Sequence, residues 1–165
     1  MFVSTEFNDL DQMQEAVRGW DFDFLPLQAG TFRSSITQAF FSQSSIGSGQ
    51  FYGKVEQRGA TLKGYRTFVI TMDDHVNYLW RNKSINGNTL SLFPPSGELH
   101  SVSDDRFKVY TLSFTSQLWN KVLLSFENKG LERSVKGENT WNLDVARVDE
   151  IRTYCSIMMA EASQG

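Results

Sequence analysis

From Asp21 to Phe114 the chain is a succession of short apolar and aromatic runs, each closed by a break that carries glycine, asparagine or serine. "DFDFLPLQAG", "TFRSSITQAFF", "QFYGKVEQRGA" and "YRTFVITM" come first, followed by "VNYLWRN", "TLSLF", "GELHSV" and "RFKVYTLSF". Runs this short, rich in β-branched and aromatic residues, read as strands. With no helical stretch between them there is nothing to build parallel crossovers, so about eight or nine antiparallel strands must close into a sandwich or barrel. Asn86-Gly87, inside "SINGNT", predicts a two-residue hairpin turn, because both central positions of a type I′ turn need positive φ.

Helical periodicity brackets this β region. In "NDLDQMQEAVRGW" Leu10, Met13, Ala16 and Val17 share one face, Asn8 or Asp9 can cap, and Gly19 ends the pattern, which predicts a helix over 9–19. After Phe114, "TSQLWNKVLLSFENKG" carries Leu118, Trp119, Val122, Leu123 and Phe126 on one apolar face, with Ser116 as cap and Gly130 as stop; a helix over 116–129 is expected. "ERSVKGENTW" reads as a loop. A last helix over 143–162 sets Val148, Ile151, Cys155 and Met158 in a seam with steps of three and four. The expected fold is mainly β with flanking helices: a barrel over 21–114 and two C-terminal helices within one domain, 1–165, a length suited to a single core.

Charge and cysteine content narrow the partners. Sixteen Lys and Arg against 19 Asp and Glu give a net charge of -3, so no field draws the chain to nucleic acid. A single cysteine, Cys155, excludes an intrachain disulfide framework and a multi-cysteine zinc site and fits a reducing compartment; a cytoplasmic location is the expectation. "MFVSTEFNDLDQ" lacks the basic start and apolar run of a signal peptide, and no segment has the roughly 20 apolar residues of a membrane span, so no membrane partner is expected.

One short motif raises the question of a metal. In "LFPPSGELH" the spacing Pro95, Gly97, His100 resembles the Pro-x-Gly-x-x-His core of the second motif of cupin barrels, with Gly87 as a loose counterpart of its leading glycine, two residues out of step. A metal-dependent cupin enzyme would need three or four ligands, and the chain has two histidines. His75 and His100 with a carboxylate from Asp73, Asp74 or Glu98 would make a two-histidine, one-carboxylate set. Against this, Pro94, Pro95 and Gly97 suit a rigid turn between strands, with His100 on the strand that follows. The turn is the better reading, and neither metal nor other cofactor is expected.

Other catalytic arrangements find little support. Cys155 falls in a helix seam, where a thiol is packed rather than reactive. Asp73, Asp74 and His75 are adjacent, and adjacent strand residues point to opposite faces. "GSGQFYG" lacks the lysine of a phosphate loop. The chain is therefore expected not to be an enzyme.

Taken together, the helix ending at Gly19-Trp20, "PLQAGTFRSSITQAFF", "QRGA" at Gln57 to Ala60, "LFPPSGELHSVSDDRFKVYTLSF" and the helix starting "TSQLW" resemble the N-terminal effector-binding and dimerisation domain of AraC-type transcription regulators. The resemblance runs from about Asp9 to Phe126 and implies a cupin-like (double-stranded β-helix, jelly-roll) barrel that binds a small effector and forms a homodimer. It implies that DNA is contacted only through helix-turn-helix units, which this sequence does not contain, so the chain is expected to be the regulatory part of a longer regulator. Alternation along the strands nominates Tyr52, Trp80, Phe93, His100 and Tyr110 as cavity residues, with Arg66 or Glu98 as polar anchors. The family's dimer helices correspond to Trp119, Val122 and Phe126 in one helix and Val148, Ile151, Cys155 and Met158 in the next.

Overall fold

The computed structural model describes residues 1–17, 20–93, 99–126 and 140–164, the side chains of 125 and 126 apart. In chain order the elements are β1 (Phe2–Phe7), α1 (Leu10–Ala16), β2 (Asp21–Pro26), β3 (Arg33–Phe40), β4 (Ser44–Tyr52), β5 (Val55–Ala60), β6 (Tyr65–Thr71), β7 (Tyr78–Trp80), β8 (Lys83–Ile85), β9 (Thr89–Leu92), β10 (Leu99–Ser103), β11 (Arg106–Thr115), α2 (Ser116–Phe126), β12 (Thr140–Asn142) and α3 (Val145–Ala162).

The pairing of the central strands fixes the fold. β4 pairs with β11, β5 with β10, β6 with β9 and β7 with β8, all antiparallel. First pairs with last at every level, so the chain behaves as one long hairpin wound over itself into two facing sheets, the cupin-like jelly roll. A seven-stranded sheet runs β1-β3-β4-β11-β6-β9-β12, and a five-stranded sheet runs β2-β5-β10-β7-β8. The protein is thus mainly β with flanking helices.

The tip of the wound hairpin is not where the sequence suggests. Trp80 faces Lys83 across a turn of Arg81 and Asn82, whose φ values are +48° and +64°. Asparagine tolerates this region, and the Arg81 N–H is held by the His100 carbonyl at 2.8 Å. Asn86-Gly87 instead carries the chain from one sheet to the other, between β8 and β9. Glycine is needed there for space: a Cβ on Gly87 would lie 2.5 Å from the Asp74 Cα.

Each helix is anchored by a side-chain cap. Asp9, rather than Asn8, caps α1, its carboxylate accepting from the Asp11 N–H at 2.8 Å. The helix is shorter than expected and drives a fully buried Met13 into the core; 18–19 lie outside the described residues. Thr115 caps α2, its hydroxyl accepting from the Leu118 N–H at 3.2 Å, whereas the Ser116 hydroxyl donates to the Gly64 carbonyl at 2.8 Å. Asp144 caps α3 through the Arg147 N–H at 2.9 Å.

Helices α2 and α3 cover the outer face of the seven-stranded sheet. Trp119 packs its ring 5.3 Å from Phe68. Along α3, Ile151, Cys155, Met159 and Ala162 lie on Ala39, Ile46, Tyr110 and Leu112. The seam therefore steps from Cys155 to Met159, and Met158 is 38% exposed, because 3.6 residues per turn carry the inner face four positions on. Two strands lie beyond the expected β region. β1 pairs with β3 at one edge, and β12, whose Thr140 and Trp141 end the expected loop, pairs with β9 at the other; 127–139 lie outside the described residues.

Candidate functional site

Between the two sheets lies a cavity of about 70 Å³ for water centres, walled by side chains from both. That is room for several waters or one small ring-bearing molecule. Among the described residues, seven aromatic side chains form the largest part of its lining. Trp20 meets Phe93 edge-on at 5.3 Å, Phe93 meets Trp80 at 4.9 Å, and Phe51 stacks on Phe107 at 5.5 Å. The strand pleat puts these rings inside, since successive residues alternate between faces. On the far wall Gly47 and Gly49 of β4 leave the room: a Cβ on Gly49 would have only ordinary contacts, the nearest Phe51 Cζ at 3.6 Å.

One row of the five-stranded sheet breaks the apolar surface. Gln57 of β5 faces Ser101 of β10, which faces Trp80 of β7. All three line the cavity and are buried, at 7%, 2% and 3% exposure. Gln57 Nε2 and Trp80 Nε1 have no hydrogen-bond partner among the described residues. Buried donors are nearly always paired, so two orphans in one row of one cavity need an explanation.

Of the residues nominated from the sequence, Trp80 and Phe93 line this cavity. Tyr52, Arg66, His100 and Tyr110 do not, and strand parity is the reason. Phe51, Val69, both Leu99 and Ser101, and both Val109 and Thr111 point inward, which turns those four outward. Tyr52 is 45% exposed. The Tyr110 hydroxyl bonds Ser156 of α3, and burial under that helix raises its pKa. Glu98 lies outside the described residues. Gln57, the first residue of "QRGA", is a lining residue that the sequence expectations do not include. The available signal was a polar residue in phase with the buried Val55.

His100 belongs to an exposed cluster on the outer face of the five-stranded sheet. Glu56 Oε1 accepts from Arg58 Nε at 2.8 Å and lies 2.6 Å from His100 Nε2. The hydrogen bond from Arg58, then that with His100, holds the Glu56 carboxyl below its ordinary value of 4.5. A lowered folded-state value adds stability that is present above 4.5 and is lost as pH falls through the lowered one. Glu56→Gln is therefore expected to flatten the acid limb of a melting-temperature profile below pH 4.5, by little because Arg58 is exposed to solvent screening. An unchanged limb would show the cluster to be without effect.

His75 sits in the loop after β6, its N–H donating to Asp73 Oδ1 at 3.0 Å. Among the described residues no group of three histidine, cysteine or acidic side chains is placed to hold a metal ion. Pro94, Pro95, Gly97 and Glu98 lie outside them. The Cys155 thiol is buried, and desolvation pushes it up to about 11, so it is protonated and unreactive at neutral pH.

A residue absent from the sequence expectations binds α3 to the barrel. Arg152 makes five hydrogen bonds: Nε to the Thr71 carbonyl at 2.9 Å, Nη2 to the Thr71 hydroxyl at 3.1 Å and the Gly87 carbonyl at 2.7 Å, and Nη1 to Asp74 at 2.6 Å and Asp149 at 3.2 Å. Its side chain is only 11% exposed. Of the residues assigned to dimer contacts, Val148 and Cys155 are buried and Ile151 packs on the chain's own sheet. The apolar groups that α3 turns to solvent are Val145, Tyr154, Ile157 and Met158. Trp119 and Val122 are partly buried on α2, and the Phe126 side chain lies outside the described residues. No helix among the described residues is long and apolar enough to cross a membrane.

No family model matches the chain, and no curated protein matches it. Among solved structures it is similar to the AraC-like transcriptional activator CuxR, at 12% identity and a TM-score of 0.54, over 99% of this chain and 70% of that one. It also aligns with the Cnp3 cupin domain of Schizosaccharomyces pombe at 10% identity, TM-score 0.37, over 74% of this chain and 93% of that one. The EutQ protein of Clostridium difficile aligns at 12% identity, TM-score 0.32, over 50% of this chain and 64% of that one. The first likeness extends through barrel and flanking helices together, and at this identity it establishes the fold alone.

Proposed function

We propose that this chain is the sensory and dimerisation domain of a cytoplasmic AraC-type transcription regulator. A small effector occupies the cavity between the sheets, two copies associate through their C-terminal helices, and DNA is read by helix-turn-helix units elsewhere in the full protein. The observation that carries this reading is the aromatic cavity with its two unpaired donors, inside a fold that an AraC-like activator shares over nearly the whole chain. Such a cavity suits binding without chemistry. Among the described residues no nucleophile paired with a base lines it, and its polar groups are neutral.

Regulation follows from linkage. An effector that prefers one arrangement of the barrel shifts the population toward it. Val69 lines the cavity, and two residues further along β6 stands Thr71, the residue that Arg152 of α3 grips. A shift of β6 would thus reach the helix that leads out of the domain. The dimer surface in this reading is the solvent side of α3 around Ile157 and Met158, since apolar groups on an otherwise covered helix are self-complementary about a two-fold axis.

Sedimentation velocity from low to high micromolar concentration tests the assembly. A dimer is expected, and Ile157→Glu should weaken it about tenfold or more with no loss of melting temperature, because the side chain is already 48% exposed. A chain that stays monomeric throughout would remove dimerisation from the proposal.

A further inference from the structure

We infer that the cavity selects a neutral, ring-bearing ligand with a hydrogen-bond acceptor, such as a ketone, ester or amide carbonyl, which lies against the Gln57–Ser101–Trp80 row. This rests on the proposal that the cavity is the effector site, and it specifies what the effector must carry.

Three features of the row lead to the acceptor. Gln57 and Trp80 flank Ser101 on the two neighbouring strands, so their backbones are about two strand spacings, roughly 10 Å, apart, and both side chains line the space between the sheets. Both orphans are donors, and the indole N–H of Trp80 has no acceptor capacity. An acceptor brought between them satisfies groups whose burial the fold otherwise leaves uncompensated. A site built to hydrogen-bond a ligand rejects the analogue that lacks the bond, because its own polar groups are then stranded.

The charge of the ligand follows from the rest of the wall. No lysine, arginine, histidine or acid lines the cavity among the described residues. A carboxylate would surrender its hydration to neutral donors alone, which is costly in an aromatic enclosure. A ring of aromatics suits a quaternary ammonium in general. Here the two donors present their positive ends to the same space and oppose a cation. The apolar body of the ligand is set by Trp20, Phe93 and Phe51 on one side and by the gap above Gly49 on the other.

The test uses four probes of one size on the intact chain: acetophenone, ethylbenzene, benzoate and phenyltrimethylammonium. Binding is followed by the NMR signals of the Trp80 indole N–H and the Gln57 side-chain amide. Acetophenone is expected to bind at least about tenfold more tightly than ethylbenzene and to move both signals downfield. In Gln57→Met that preference should shrink severalfold, with melting temperature unchanged or raised, because an unsatisfied amide has been replaced by an apolar chain of similar length. Gly49→Ala, which adds a methyl group to the cavity, should weaken all binding without unfolding the protein.

Equal binding of ethylbenzene and acetophenone would overturn the acceptor requirement and leave the cavity as the effector site. Tighter binding of benzoate or of the ammonium would overturn neutrality. A clear drop in the melting temperature of Gln57→Met would mean that the amide is structurally satisfied and would remove the basis of the inference. If none of the four perturbs either signal, the cavity itself falls as a ligand site, while the sedimentation result stands apart from it.

Discussion

Gly59→Ala is expected to destabilise the protein by about 2–6 kcal/mol, a large share of the whole stability of a domain this size. Two effects add. Gly59 holds φ at +142°, where an L side chain is strained by about 1–3 kcal/mol. Its Cβ would also run into the Asp21 carbonyl and lie 2.6 Å from Phe22 Cδ1 and 2.8 Å from Phe22 Cα. The obstacle is the backbone of the neighbouring strand, which cannot swing aside as a flexible side chain can, so overpacking contributes about 1–3 kcal/mol more. β2 must peel away from β5, and it takes Phe22 from the cavity wall. Urea titration followed by circular dichroism reads the loss directly. A change below about 1 kcal/mol would show that the two strands are free to separate there.

Removing the Arg152 side chain should have the second-largest effect, about 2–4 kcal/mol, and a local character the first lacks. The loss arises mainly from the Thr71 and Gly87 carbonyls, which are left without their charged donor. Asp74 and Asp149 are 55% and 60% exposed and return to water with little penalty. Because the other contacts of α3 are a narrow apolar seam and the Tyr110–Ser156 hydrogen bond, Arg152→Ala is expected to raise amide exchange along 145–162 while the barrel strands stay protected. Lysine should restore only part of the loss, since a point charge on one stem cannot serve acceptors lying in several directions. Uniform exchange across the chain in Arg152→Ala would mean that helix and barrel unfold as one unit.

These two residues also mark how far the sequence could be read. The β region and the three flanking helices were legible because they depend on local period, and the first cap was legible as Asn8 or Asp9; Asp144, the cap of the last helix, was not read. The position of the I′ turn was not. Asn86-Gly87 has the better local signal, yet the wound hairpin needs its tip where β7 meets β8, and Arg81-Asn82 accepts the positive φ values there. Gly87 serves a contact with Asp74, thirteen positions away, that no local rule contains.

Within the candidate site the aromatic content announced an apolar interior, and Trp80 and Phe93 could be named from it. Tyr52, Arg66, His100 and Tyr110 could not be placed, since a strand's composition leaves its phase open and one step of register reverses every side chain. Gln57 looks like a surface residue until Val55 on one side and Ser101 across the ladder set its face inward. What the sequence determined is the kind of chain this is: strands of period two, helices of period 3.6, one thiol and no excess of positive charge. The tertiary structure alone decided which sheet each strand joins, which side chains meet, and that two buried donors share a cavity. Those outcomes depend on contacts between residues far apart in sequence, and such contacts exist only once the hairpin has wound upon itself.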